Sequence, residues 1–406
     1  MAYVYRAFKD LPIEYQESEK HEGGVFTLDP ELVKKLKYPH WAPTWETEQE
    51  LAFNSIEPFR HVDRGRFGDP SFDSLFKGTG AIKKELTPRL GLEIKDLQLS
   101  QLDATQKDDL ALLVEQRGVV VFRDQDFKDS SFDDLRKWGK YYGPLHTHSV
   151  SGAPLGQPEF HIYFAEREND AKNRFLETHT GFHTWHHDVS FEGQPPGITA
   201  VAMLQAGNGG DIQFIDTIAA YERLSPTFQQ FIGGLRAVHT SELLVKGARA
   251  QGGIVRKPAL NTIHPIVRYH SVLKKKALYV NPPYSSICGF TRRILGLKNE
   301  ESDALLLFLW NHINSLLDAH IRVSWDDRTV VLWDNRHIIH TAITDIEPDS
   351  LRTAFRVTSV AERPVANEDE FNSWTPEKEK DLIEHTDEYL GLTPEEYYEK
   401  RERGLN

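Results

Sequence analysis

Two stretches of this chain carry side chains that could hold a metal ion. The first is Phe182-His183-Thr184-Trp185-His186-His187-Asp188-Val189-Ser190-Phe191. His186 and Asp188 stand two residues apart, so on an extended strand they share a face and can reach one ion. The second is Trp333-Asp334-Asn335-Arg336-His337-Ile338-Ile339-His340, whose last residue supplies a distal imidazole. Two histidines and one carboxylate on one side of a metal leave the opposite positions open, the donor set of non-haem Fe(II) oxygenases. Each part alone has a plainer reading. The chain has 18 histidines, so a chance His-x-Asp carries little weight. A core histidine beside a capping aspartate explains the pair equally well, and His187 and His337 compete for the ligand positions. His146 and His148, also two apart, form a further candidate pair.

Arg352 and Arg356 follow His340 on a β-branched, strand-like segment. Their spacing puts both on one face. Planar guanidinium groups suit carboxylates and sulfonates, which they bind through paired hydrogen bonds. In isolation, a surface ion pair explains either residue. The formal net charge of −13 makes such a local cationic pair notable. The same charge argues against a nucleic-acid surface and against anionic membranes. One cysteine, Cys288, rules out internal disulfides and fits a reducing compartment. The N-terminus has no apolar signal core. No run approaches the roughly 18 apolar residues of a membrane helix, and Gly-Leu-Asn at the end matches no retention or peroxisomal signal. A cytoplasmic protein is expected.

Residues 1–84 hold spaced prolines, among them Pro30, Pro39, Pro43, Pro58 and Pro70, and many aromatics. Proline excludes long helices, and the aromatics argue against disorder. The segment reads as an arm packed over the domain and a candidate subunit contact. Residues 85–364 read as many short strands with few helices. Helices are expected over 104–116, 130–142, 218–224, 226–233 and 300–319. Strands are expected over 118–123, 159–164, the His-x-Asp stretch, 198–204, 212–215, 278–280, 321–325, 330–333 and 351–360, with a polar loop over 165–181. Leu305, Leu306, Phe308, Leu309, Ile313, Leu316 and Leu317 give the last helix its apolar face. Residues 365–406 form an acidic helical tail anchored by Leu382, Tyr389, Leu390 and Leu392. This pattern is that of an α+β domain on a β-sandwich or cupin-like barrel.

The chain resembles the taurine dioxygenase family of Fe(II)- and 2-oxoglutarate-dependent oxygenases, especially its fungal sulfonate dioxygenase branch. The resemblance runs from about Thr87 to Pro364. It is carried by Thr87-Pro88-Arg89-Leu90-Gly91, Gly143-Pro144-Leu145-His146, Trp185-His186-His187-Asp188-Val189-Ser190-Phe191, Gly209-Gly210-Asp211, Ala220-Tyr221-Glu222-Arg223-Leu224-Ser225, His264-Pro265, Trp333-Asp334-Asn335-Arg336 with His340, and Arg352 with Arg356. It implies a double-stranded β-helix (jelly-roll, cupin-like) core with flanking helices. It implies Fe(II), 2-oxoglutarate and O2 as cofactor and cosubstrates. His186, Asp188 and His340 match the iron ligands, and Arg352 the arginine that binds the distal carboxylate of 2-oxoglutarate. Arg356 matches the arginine that holds a substrate sulfonate, with His148 and the backbone N–H of Val189. Phe290 matches an aromatic wall of the pocket. The implied reaction hydroxylates the carbon bearing the sulfonate, which then collapses to aldehyde and sulfite, with succinate and CO2 as co-products.

The chain departs from the family at several points. Ile212 stands where the family usually has a threonine that donates to 2-oxoglutarate, a hydrogen bond worth on the order of 1.5–3 kcal/mol. Ser151 and Phe182 stand where the bacterial taurine enzymes place Tyr and Asn near the substrate amine. The stretch Asn281–Phe290 is longer than the family's usual link. Three readings follow: cleavage of an alkylsulfonate, the same oxidation of another small acid or secondary metabolite, or a non-catalytic β-helix binding protein. The partners expected are a small-molecule substrate and a second copy in a homo-oligomer, with no nucleic acid and no membrane.

Overall fold

The computed structural model describes residues 13–16, 24–165, 176–177, 184–250, 252–282, 289–347, 350–386, 390–391, 396 and 399. Most of the expected 165–181 loop, and Phe182, Cys288, Tyr389 and Leu392, lie outside the described residues. In chain order the described strands are β1 (Ile13–Gln16), β2 (Val25–Leu28), β3 (Thr44–Glu46), β4 (Ile82–Glu85), β5 (Leu92–Lys95), β6 (Val119–Phe122), β7 (His161–Ala165), β8 (Pro196–Gln205), β9 (Ile212–Asp216), β10 (Arg236–Thr240), β11 (Asn261–Pro265), β12 (Val267–His270), β13 (Lys275–Leu278), β14 (Phe290–Ile294), β15 (His320–Val323), β16 (Val330–Asp334), β17 (Ile338–Ala342) and β18 (Arg352–Val360).

The largest sheet has seven strands in the order β4-β5-β6-β16-β8-β18-β7. Its β5–β6 pair is parallel and the others are antiparallel. A three-stranded sheet, β15-β9-β17, packs against it. Val121, Val201, Met203, Val331, Trp333 and Ala354 of the large sheet meet Ile212, Phe214, Ile321, Val323 and Ile338 of the small one in one buried cluster. The centre of the large sheet is buried on both faces. Val119–Phe122 is accordingly an unbroken apolar run, without the alternation of a half-exposed strand.

The helix Ala104–Arg117 covers the outer face. It begins with a capping box: Asp103 accepts from the Gln106 N–H at 2.8 Å, and Gln106 accepts from the Asp103 N–H at 3.0 Å. It ends at Gly118, where φ is +69° and a Cβ would come within 2.7 Å of Ile338 and Leu90. Only glycine fits there. The arm sheet β1-β2-β3 is joined to the domain by a bridge from Thr44 to Ala153, with N–H···O distances of 2.7 and 3.1 Å. Among the described residues, no helix is long and apolar enough to cross a membrane.

Two expectations are corrected. The long helix spans Asn299–Asn314, and Leu317 lies in a separate 3-10 turn, 81% exposed. Its buried stripe is Leu305, Leu306, Leu309, Trp310 and Ile313. Phe308 falls on the far side of that stripe and is 46% exposed. The His-x-Asp stretch is also not a strand. His186 makes one isolated bridge to His340, and the chain then turns at Asp188. The backbone groups of His187 and Asp188 bond to two asparagine side chains rather than to a neighbouring strand. The His187 N–H donates to Asn281 Oδ1 at 2.8 Å, and the Asp188 N–H to Asn335 Oδ1 at 2.7 Å.

Candidate active site

The bridge between His186 and His340 fixes the two imidazoles side by side. Each backbone N–H donates to the other's carbonyl, at 3.0 and 3.1 Å, and the ring centroids are 4.2 Å apart. His186 Nδ1 donates to the Thr184 carbonyl, which leaves the lone pair on Nε2. That Nε2 is 3.4 Å from Asp188 Oδ1, and His340 Nε2 is 3.8 Å from the same oxygen. All three side chains are buried, with ligand atoms within 4.8 Å of one another. Asp188 Oδ2 and His340 Nδ1 are buried without a hydrogen-bond partner. Burial pushes the Asp188 pKa upward, but Arg356 and then His340 outweigh it and hold the carboxylate well below its usual range. Burial, reinforced by His186, keeps His340 neutral. Two imidazoles, His340 held neutral, and a carboxylate with an unpartnered oxygen fit a divalent first-row ion such as Fe(II).

Arg356 projects from β18 into this cluster. Its Nη1 is 2.5 Å from Asp188 Oδ1 and 3.0 Å from the Tyr163 hydroxyl. His148 comes from the loop after the helix Phe132–Lys140. Its Nδ1 accepts from the backbone N–H groups of Val150 at 3.3 Å and Ser151 at 3.2 Å. The Ser151 hydroxyl lies 2.7 Å from the same nitrogen. The ring proton is thereby set on Nε2, which is buried and has no partner. Val189, directly after Asp188, has φ +38°. That is a strained value for a β-branched residue, and such outliers gather at functional sites. Phe290 opens β14 opposite Thr240 and is half-buried. Among the described residues its ring stacks on no side chain of this cluster.

Arg352 stands four residues earlier on β18. It donates to the carbonyl of Gly210 and, at 3.4 Å, to that of Gly209, and lies 5.6 Å from the Trp325 ring. The two glycines have φ +79° and +66°, and a Cβ on Gly210 would stand 1.8 Å from Arg352 Nη1. The Gly-Gly turn therefore makes room for this guanidinium. Ile212, at the start of β9, is buried in the apolar cluster with Phe214 and offers no hydroxyl there.

The competing histidines have contacts elsewhere, and of their ring nitrogens the Nε2 of His187 is buried without a partner. His187 Nδ1 lies 2.9 Å from the Asn335 carbonyl. His146 Nε2 is 2.9 Å from Glu192, which also meets Lys257 at 3.1 Å. His337 contacts Asp216 and the Glu115 carbonyl, both at 3.2 Å. His270, Asp334 and His337 form a second buried group of ligand type. Arg336 fills it: Nε and Nη2 grip Asp334 at 2.7 and 2.9 Å, and Nη2 reaches Glu115 at 2.8 Å. Sequence reasoning gave no role to His161, Tyr163, Asn281 or Arg256. For the first two, the alternation His161-Ile162-Tyr163 on a strand was the available signal. Arg256 is fully buried and, among the described residues, donates to the neutral acceptors Gln49 Oε1 at 2.6 Å and the Ser151 carbonyl. Burial lowers its pKa to about 10, against the pull of Glu46.

A buried cluster of two histidines and one carboxylate, flanked by two arginines of one strand, defines the class of 2-oxoglutarate-dependent non-haem iron dioxygenases. Residues 83–358 match the Taurine catabolism dioxygenase TauD, TfdA family, and the chain belongs to it. Enzymes of this class use Fe(II), 2-oxoglutarate and O2. The chain is 40% identical over 353 residues to an alpha-ketoglutarate-dependent sulfonate dioxygenase of Saccharomyces cerevisiae, covering 86% of this chain and 84% of that one. It is 38% identical over 335 residues to the alpha-ketoglutarate-dependent dioxygenase cnsP of Penicillium expansum, covering 81% and 87%. A crystal structure of a taurine dioxygenase from Burkholderia xenovorans superposes with a TM-score of 0.56 at 29% identity, over 70% of this chain and 91% of that one.

Proposed function

We propose that this dioxygenase cleaves an alkylsulfonate oxidatively, giving an aldehyde and sulfite, with succinate and CO2 from 2-oxoglutarate. The observation that carries the reading is the presence, beside the ligand cluster, of Arg356 bonded to Asp188 and of His148, whose buried Nε2–H has no partner and which feels the charge of Arg356. A cation and a neutral donor with the metal cluster at hand suit a small anion whose neighbouring carbon is to be oxidised. In this reading His186, Asp188 and His340 hold Fe(II), which supplies O2 activation coupled to decarboxylation of the cosubstrate. Arg352 fixes the distal carboxylate of 2-oxoglutarate, without help from a hydroxyl at Ile212. Arg356, His148 and the Val189 N–H orient the sulfonate, Phe290 contributes to the pocket wall, and the buried setting excludes water. The activity of the yeast relative supports the substrate class.

A second reading keeps the chemistry and changes the substrate to another small acid. It is favoured by the short Ser151 side chain, which stands where the bacterial taurine enzymes place Tyr near the substrate amine. The two facing sheets support a jelly-roll, double-stranded β-helix core within residues 85–364, with 1–84 as arm and 365–406 as tail. The −13 charge argues against nucleic-acid and anionic-membrane partners, and the single cysteine supports a reducing, cytoplasmic setting. Succinate and sulfite release should be measured with Fe(II), 2-oxoglutarate and a substrate panel. Equal sulfite and succinate supports sulfonate cleavage, and succinate coupled to another product supports the second reading. No stimulated succinate from any substrate overturns both.

A further inference from the structure

β7 pairs with β18 so that His161 lies directly opposite Arg356. Residues opposite each other in an antiparallel pair project to the same face. His161 therefore stands beside Arg356 on the face that meets Asp188. Its ring centroid is 4.7 Å from that of His148 and 4.4 Å from that of Tyr163, on which it stacks at 26°. Its Nδ1 is buried and has no hydrogen-bond partner, as is true of His148 Nε2. Burial, and then the charge of Arg356, keep both imidazoles neutral. Two unpartnered ring nitrogens beside one guanidinium are costly to bury unless a ligand meets them.

We infer that His161 is a third side-chain contact for the anionic head of the substrate, with Arg356 and His148, and that it selects a tetrahedral sulfonate over a planar carboxylate. A sulfonate directs three oxygens around a cone, so each of three groups can meet its own oxygen. A carboxylate has two coplanar oxygens and leaves one of the three groups unpaired, which weakens binding. This inference rests on the sulfonate reading above.

The test is anaerobic calorimetric titration of the Fe(II)- and 2-oxoglutarate-loaded enzyme with butanesulfonate and with pentanoate. The wild type should prefer butanesulfonate. His161→Phe keeps a ring for stacking but removes both nitrogens. It should weaken butanesulfonate about tenfold or more and pentanoate much less. His161→Asn sets an amide nitrogen near the place of Nδ1 and should restore most of the loss. His161→Gln carries its amide further out and should not, a contrast that stands even if the Phe variant fails to fold. Unchanged sulfonate binding in His161→Phe, equal loss of both ligands, or an Asn variant no better than Gln would overturn the inference. If the wild type binds butanesulfonate but releases no sulfite, the proposed function fails while the selection by His161 stands. If it binds no sulfonate, both fail.

Discussion

His186, Asp188 and His340 form one buried cluster of two imidazoles and a carboxylate, and His270, Asp334 and His337 form another. In the second, a guanidinium occupies the centre. Arg336 joins Asp334 to Glu115 and to Asp63 of the arm, with Glu362 at 3.6 Å. His270 adds a 2.8 Å contact to Asp334. The lone pairs that would bind a metal are already spent on hydrogen bonds. In the first, Asp188 Oδ2 is left without a partner, and His340 Nε2 stands 3.8 Å from Asp188 Oδ1, beyond a hydrogen bond. Side-chain type and burial are the same, so neither separates a metal cluster from a structural one. What separates them is whether the donors have already been satisfied.

The sharpest break of this comparison is His340→Ala set against His337→Ala. Loss of a ligand should cost at least about a hundredfold in iron affinity and should abolish iron-dependent succinate release. His337→Ala should retain iron and turnover and lower the melting temperature. The reverse pattern would exchange the two clusters. Next comes Arg336→Met, which leaves carboxylates buried without their cation and should cost about 3–5 kcal/mol of stability, read from the urea midpoint. An unshifted midpoint would deny the second cluster its structural part.

Gly210→Ala forces a Cβ against Arg352 and should weaken 2-oxoglutarate about tenfold, with iron content unchanged. An unaltered KM for 2-oxoglutarate would remove Arg352 from its proposed role. A smaller effect should appear with pH. Burial lowers the pKa of His146 to about 4 and that of His239 to about 3. Below the unfolded value near 6.5 the unfolded chain binds protons that the native chain refuses. Each of these histidines therefore removes about 1.4 kcal/mol of stability per pH unit as pH falls from about 6.5 toward its folded value. Urea midpoints at pH 7, 6 and 5 should fall in that order; a flat profile would mean these imidazoles are charged in the fold. The smallest effect is expected from a chelator. The cluster is held by the His186–His340 bridge, Thr184 and Asn335, so the far-ultraviolet circular dichroism should not change when iron is removed.

Much of this was legible in the chain. The helix Ala104–Arg117 announces itself through Asp103 and Gln106, and β6 and β16 through apolar runs too short for helices. The three residues that cluster, His186, Asp188 and His340, were legible by type and through the resemblance. The turn at Asp188 was not. Its hydrogen-bond partners Asn281 and Asn335 are 94 and 147 residues distant, and no local pattern records them. β10 and β12 were missed because they carry Arg236 and Arg268 and owe their state to pairing rather than to alternation, and the strand expected over 278–280 begins earlier, on the lysines of Lys275–Leu278. β17 was hidden inside the stretch read for its histidines. Phe308 was assigned to the core on apolar character, although its angle on the helix turns it away.

The arm has a further consequence. Thr44 pairs with Ala153, and Gln49 holds Arg256, which in turn holds the Ser151 carbonyl behind His148. These arm residues precede the stretch that matches the family, 83–358. The outer support of His148, to which the proposed function gives the sulfonate, thus begins outside the family match, whereas His186, Asp188 and His340 lie within it. A lineage could trade one arm for another and change which molecule is admitted while the oxidising machinery is inherited intact.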